Sequence, residues 1–554
     1  MKSLNAKRSL VDYTWRLSSW LAVITSFGLS WARISSRGRA SAEMTYDDVM
    51  YAMSGNRLAR SIEQIGLLNA TTSWVREIPH APIADLLAAT ASLLGGPSTP
   101  RIYFVNMLFV GCLGYFAISM TLKTDFPKTL HLLALVIVSP LGFFFVDQFR
   151  PDPAYSVVLV FFVSSTIRAV RCTDSDGSAK YARYAGLSVP LLLLVKPSFF
   201  VFTGFALLGV AVWFLIAGSK IGTRSLVRKI VIPALKVSVV PLAAVSFWVS
   251  PSVIAYVIAN TIGVNSSVWS GTSPIDTVSQ SLKQSLGLGL PLFMGALLTG
   301  AALVILLIER KVDQIVDSLA YIIVGGLSLI PVGMTRYPSI FFGLVPVSMM
   351  LAASAQLTYN ALRCLKNRPP TWSFFARDQK SPPLSKLQFL ITSFGPILVV
   401  ITALWFPFHY STPSGLMRPM SINGRLLSAV MADCQNRSSC NTEFTARAVI
   451  PPFLVTPATE VSPDSLQWEA ILKGYSGNIQ RLNFLTDIND AISKTWDAQY
   501  VVVLAAGANV SQPRLPMNQI QIGLNQFLGN SREWTHIPTP LISEQVTLYA
   551  RIFP

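Results

Sequence analysis

A few ionisable residues stand at the edges of long apolar runs, where a charge is costly to keep and tends to have a function. Asp47 and Asp48 are adjacent and follow the first such run. Two neighbouring carboxylates either bind a divalent cation, take a proton from an attacking hydroxyl, or simply complement the N-terminus of a helix. His80 lies later in the same polar stretch, and a histidine there is either a packed interfacial residue or a proton carrier. The tight segment Asp147-Gln148-Phe149-Arg150-Pro151-Asp152-Pro153 offers Arg150 and Asp152, which either pair with one another or serve a substrate. Lys196 sits in Val195-Lys196-Pro197, either reaching toward lipid headgroups or holding an anion. Arg336, in Met334-Thr335-Arg336-Tyr337-Pro338, is the basic residue of its loop, and a guanidinium fork suits a phosphate.

The elements that must position these residues are membrane spans. The chain has 554 residues, a net charge of +17 and only 13% charged residues, and its mean hydropathy is +0.49. Such a composition excludes a simple soluble enzyme and a disordered chain. It also excludes a nucleic-acid binder, because domains that hold a phosphate backbone are not this apolar. Apolar stretches of about 20 residues, each long enough to cross about 30 Å of hydrocarbon, predict about eleven spans: 17–33, 101–122, 129–147, 154–170, 182–195, 197–217, 237–259, 287–308, 315–333, 338–359 and 386–408. With the N-terminus inside, the inner segments carry 23 Lys/Arg, whereas the short outer loops carry Arg150, Lys196, Lys283 and Arg336. That bias sets an N-inside orientation. Arg33, Arg37 and Arg39 stand between the first apolar run and Ala40-Ser41-Ala42, which disfavours cleavage, so the first span is expected to be retained.

This topology puts residues 34–100 and everything after about 409 outside. A helix is expected to start at Thr45-Tyr46-Asp47-Asp48, with apolar Leu58, Ile62 and Ile65 on one face. A second is expected from Pro82 to Gly95-Gly96. Short amphipathic helices directly after a span suit the membrane surface. Residues 409–554 carry ten Lys/Arg and ten Asp/Glu and hold no span. Tyr500–Leu504 and Gln545–Tyr549 read as strands, and Leu466–Ile471 and Asp487–Trp496 as helices. The fold class is therefore a polytopic α-helical membrane protein, residues 1–408, with a small C-terminal α/β domain outside the membrane, residues 409–554. Cys434 and Cys440 fall in the outer segment, where they form a disulfide or stay as free thiols; the oxidising side favours the disulfide.

The acids and bases gather at outer span ends, and the inner segments show no phosphate-cradling Gly-rich motif. With this arrangement the chain resembles the GT-C superfamily of polytopic glycosyltransferases. The match rests on N-inside topology, about eleven spans, a long first outer loop with an acidic pair, and a terminal soluble domain. His80-Ala81-Pro82 resembles a degenerate His-Pro-Pro of the protein mannosyltransferase and aminoarabinose transferase branch, with Ala81 in place of the first proline. Val546-Thr547-Leu548-Tyr549-Ala550-Arg551 resembles the last strand of bacterial members.

The resemblance implies an enzyme that transfers a hexosyl or pentosyl group from a polyprenyl-phosphate donor to a glycan, lipid or protein acceptor outside the cytoplasm, with inversion. It implies Asp47 first and Asp48 second as base or metal ligand, with a divalent cation such as Mg or Mn, and Asp152 assisting. It implies His80, Arg150, Lys196 and Arg336 as the donor-phosphate side. It further implies a bacterial inner membrane, with the N-terminus cytoplasmic and the C-terminal domain periplasmic. Two other readings stay open: a polymerase or ligase of lipid-linked glycans, worked by arginines and a histidine, and a lipid-linked glycan transporter or flippase.

Overall fold

The computed structural model describes residues 2–36, 38–42, 44, 47–77, 81–217, 227–246, 251, 253–255, 258, 273–286, 291–335, 339–366, 422–437, 453–455, 462–475, 479–481, 487–505, 516–538 and 546–552. The chain divides into two compact units: residues 1–32, 75–83 and 106–408 form one, and residues 33–74, 84–105 and 409–554 the other. The sequence-based division counts residues 34–100 with 1–408; the compact units gather most of them with 409–554 instead.

In the first unit the helices Pro151–Arg171, Pro197–Ala217, Val227–Ser246, Val312–Met334 and Ile340–Cys364 are predominantly apolar, whereas Pro274–Leu286 is amphipathic. Over the whole chain, six helices among the described residues are long and apolar enough to cross a membrane: Thr99–Leu122, Pro151–Arg171, Pro197–Ala217, Val227–Ser246, Val312–Met334 and Ile340–Cys364. The expected first span lies within the continuous helix Lys2–Ser36, and the expected span 182–195 within Ser175–Val195. The expected span 386–408 lies outside the described residues. Tyr155, Leu159, Phe162 and Val163 of the Pro151–Arg171 helix build the core with Trp213, Tyr321, Val324, Val345 and Met349. Small residues let backbones approach: a Cβ on Gly209 would meet Val324, and one on Gly186 would meet the Ala234 backbone. Hydroxyls bond across helices, from Thr121 to Ser164 at 2.9 Å and from Ser164 to Tyr321 at 2.7 Å.

Two departures from the expected spans have local causes. The stretch 129–147 is two helices, Phe126–Val138 and Pro140–Asp147, because Pro140 lacks an N–H and pushes Ser139 out of the helical region. Ser139, at φ −67° and ψ 155°, then caps the second helix by accepting from Gly142 N. The helix expected at 237–259 begins earlier, at Val227; its Arg228, Lys229 and Lys236 are exposed, long side chains that mask an apolar segment in a hydropathy reading.

The second unit contains a five-stranded mixed sheet in the order β2-β1-β3-β5-β4. The strands are β1 (Phe453–Val455), β2 (Ile479–Arg481), β3 (Tyr500–Leu504), β4 (Trp534–Ile537) and β5 (Val546–Arg551). The pairs β1·β2 and β1·β3 are parallel, and β5 runs antiparallel to β3 and β4. Every residue of β3 is buried, as both faces of the sheet are covered. Tyr500, Val502 and Leu504 pack with Leu426, Leu427, Val430 and Leu466, while Val501 and Val503 pack with Leu524, Leu528 and Trp534. Burial, then the hydrogen bond given to Asp433 at 2.9 Å, pushes the Tyr500 phenol above its ordinary range, so it stays a donor.

The Pro463–Leu472 helix ties this sheet to the early chain. Ser465 Oγ donates to the Met44 carbonyl at 2.8 Å, and the fully buried Trp468 donates from Nε1 to Thr99 Oγ1 at 3.0 Å. The two expected strands correspond to β3 and β5. The other three are three or four residues long, too short to show an alternating pattern.

Candidate functional site

In the second unit, the Asp47–Ile65 helix carries both acidic candidates in its first turn. A carboxylate there is favoured by the orphan N–H groups and the helix dipole. Asp48 is 1% exposed, and the fully buried Tyr103 donates from its phenol to Asp48 Oδ2 at 3.0 Å. Asp47, beside it, is only half-buried. The helix is fixed from its other side by Asp85, which is also 1% exposed and accepts from Ser54 Oγ at 2.6 Å and from Trp74 Nε1 at 3.2 Å. No Cβ fits at Gly55, whose Cα lies against Ala88 and the Asp85 carbonyl. The Pro82–Leu93 helix bearing Asp85 ends before Gly95 and Gly96, at φ +150° and +84°, conformations that suit glycine. Sequence reading missed Asp85 and Tyr103. Asp85 is signalled by a lone acid inside the apolar stripe of Ile83, Leu86 and Leu87, whereas Tyr103 resembles any other aromatic of a span.

In the first unit, the loop before the Pro151–Arg171 helix and the break before Pro197 supply the other group. Lys196 takes an extended backbone, φ −152° and ψ 93°, as the residue before a proline must, and this ends the Ser175–Val195 helix there. Its Nζ lies 2.7 Å from Asp152 Oδ1, with Lys196 8% and Asp152 2% exposed. Lys196 therefore points inward, not to headgroups, and the partner shown for Asp152 is Lys196, 44 residues away, rather than its neighbour Arg150. The Lys196 ammonium also sits 4.2 Å from the centroid of Phe199, and the Arg150 guanidinium 4.2 Å from that of Phe341. Tyr155, fully buried, bonds Thr203 at 2.9 Å and meets Phe199 edge-on. The result is a buried ion pair walled by aromatic rings.

His80, Arg336, Thr45 and Cys440 lie outside the described residues. Cys434 is disulfide-bonded, and Cys112, Cys172 and Cys364 are free. Among the described residues no group of three or more His, Cys, Asp or Glu side chains could hold a metal ion. Mg keeps several waters and is commonly held by one or two carboxylates together with a substrate phosphate; of the two candidates, Asp48 already accepts from Tyr103 and Asp47 is the more exposed.

No protein-family model and no curated protein matches the sequence. Solved structures do match. ArnT from Cupriavidus metallidurans in the apo state aligns with a TM-score of 0.55 at 12% identity, over 96% of this chain and 97% of that one. The same protein bound to undecaprenyl phosphate aligns at 0.53 and 11% identity, over the same shares. The arabinofuranosyltransferase AftD from Mycobacteria aligns at 0.50 and 13% identity, over 96% of this chain and 40% of that one. At these identities the likeness is one of fold. The chain has the GT-C fold, and it is a membrane protein.

Proposed function

We propose that the chain is an integral-membrane glycosyltransferase that moves a sugar from a polyprenyl-phosphate donor to a glycan, lipid or protein acceptor outside the cytoplasm. The observation that carries this reading is the shared fold over nearly the whole of both chains with a protein whose structure holds undecaprenyl phosphate. The reading includes about eleven crossings, a cytoplasmic N-terminus and a periplasmic domain at 409–554 in a bacterial inner membrane.

The transfer is a single inverting displacement. The acceptor hydroxyl oxygen attacks the anomeric carbon, the bond from that carbon to the phosphate oxygen breaks, and the electron pair leaves with the polyprenyl phosphate. The hydroxyl proton passes to a carboxylate. Asp47 suits that role because it is half-buried, whereas Asp48 is sealed and held by Tyr103. Growing charge on the leaving phosphate calls for cations. Lys196 and Arg150 are assigned to it, with Asp152 orienting Lys196; His80 and Arg336 are assigned to it from sequence alone. The Cys434 disulfide is assigned to Cys440 on the same footing.

Purified protein incubated with radiolabelled polyprenyl-phosphate sugars tests the activity, since a flippase would move the donor without consuming it. The variant Asp47→Asn is expected to express and fold but to lose transfer. Normal transfer by that variant, with Arg336→Ala and His80→Ala inactive, would favour a polymerase or ligase instead.

A further inference from the structure

Gln148 is the described residue whose side-chain nitrogen and oxygen are both sealed from solvent and both without a protein hydrogen-bond partner. It is 1% exposed and joins the Pro140–Asp147 helix to the Pro151–Arg171 helix, in extended conformation at φ −105° and ψ 123°. Its backbone is fixed, because Asn106 Nδ2 donates to its carbonyl at 2.9 Å. Its carboxamide has no such tether. An unpaired buried amide is a burden on the fold that methionine, of similar length, would remove. The same short loop carries Arg150 and leads to Asp152, the partner of Lys196.

A carboxamide offers two donors and an acceptor with no net charge. Cations recognise phosphate; a neutral donor–acceptor pair recognises hydroxyls. We propose that Gln148 is a specificity-determining residue of the donor site, whose carboxamide pairs with hydroxyls of the transferred sugar while the neighbouring cations take the phosphate. This rests on the glycosyltransferase reading above. A site built to bond a hydroxyl rejects a substrate lacking it, since the buried group is then left unpaired.

The experiment compares full-length wild type with Gln148→Met in three measurements: melting temperature without ligand, KM and kcat for the polyprenyl-phosphate sugar, and inhibition by sugar-free polyprenyl phosphate. We expect a melting temperature equal to or above that of wild type, a KM raised about tenfold or more, and an unchanged inhibition constant. Gln148→Leu, which likewise removes donor and acceptor without adding a charge, raises KM in the same way. A melting temperature lowered by several degrees overturns the proposal, as the amide would then belong to the resting fold through a bound water. An unchanged KM overturns it too, and an inhibition constant that rises with KM moves the residue to the phosphate. If wild type transfers sugar while Gln148→Met is unaffected, only this inference falls; if wild type transfers none, both fall.

Discussion

Asp48 and Asp152 are equally buried carboxylates kept in opposite ways. Asp48 accepts from a neutral phenol, Tyr103, and its adjacent Asp47 is half-buried. Asp152 is locked to a cation, Lys196, within a wall of aromatic rings. A carboxylate that accepts from a phenol gains a hydrogen bond, and no opposite charge, from that partner. A carboxylate held by an ammonium has spent its charge on orienting that cation. Under the proposed function, the first region supplies the base and the second holds a phosphate-binding cation in place.

The comparison can be broken most forcefully at Asp47. Removing a general base costs about 10²–10⁴ in rate, on the order of 3–5 kcal/mol of barrier. Asp47→Asn should therefore lose transfer while losing only about 0.3–1 kcal/mol of stability, that of a first-turn carboxylate, in a melting assay. The Lys196→Met change should lower transfer and also stability, because it strands Asp152; breaking such a pair costs about 3–5 kcal/mol. The double change Lys196→Met with Asp152→Leu should recover most of that loss in a denaturation assay in detergent. If it does not, Lys196 and Asp152 are not each other's main support.

Tyr103→Phe should be milder, about 1–3 kcal/mol for the loss of the bond from the phenol to buried Asp48, read in the same assay. Arg150→Gln, which removes the cation from the Phe341 ring, should cost about 0.5–2 kcal/mol. An Arg150 effect larger than that of Lys196 would reverse the ranking of the two cations.

The sequence singled out Asp152 and Lys196 because charge is rare at span ends, yet not their pairing, since local reading offers Arg150 two residues away. Lys196 was legible as a break because proline dictates the conformation of the residue before it. Asp85 and Tyr103 were not, because burial and partnership across tens of residues leave no local mark. Likewise the GT-C resemblance followed from topology, whereas β1, β2 and β4 are too short to announce themselves. Gln148 is uncharged, and nothing in an amide beside an apolar run signals that it is sealed and unpartnered.

The bonds from Ser465 to Met44 and from Trp468 to Thr99 have a consequence in time. Roughly 300 residues separate Val105 from His409, the two ends of the second unit's early and late stretches. At about 5–20 residues per second, the ribosome needs roughly 15–60 s to supply the late half. For that interval the stretch that carries Asp47 and Asp48 exists without the helix that later caps it. A chain stopped before 409 would be left permanently at this stage, exposed to proteases and holdases that the finished protein escapes.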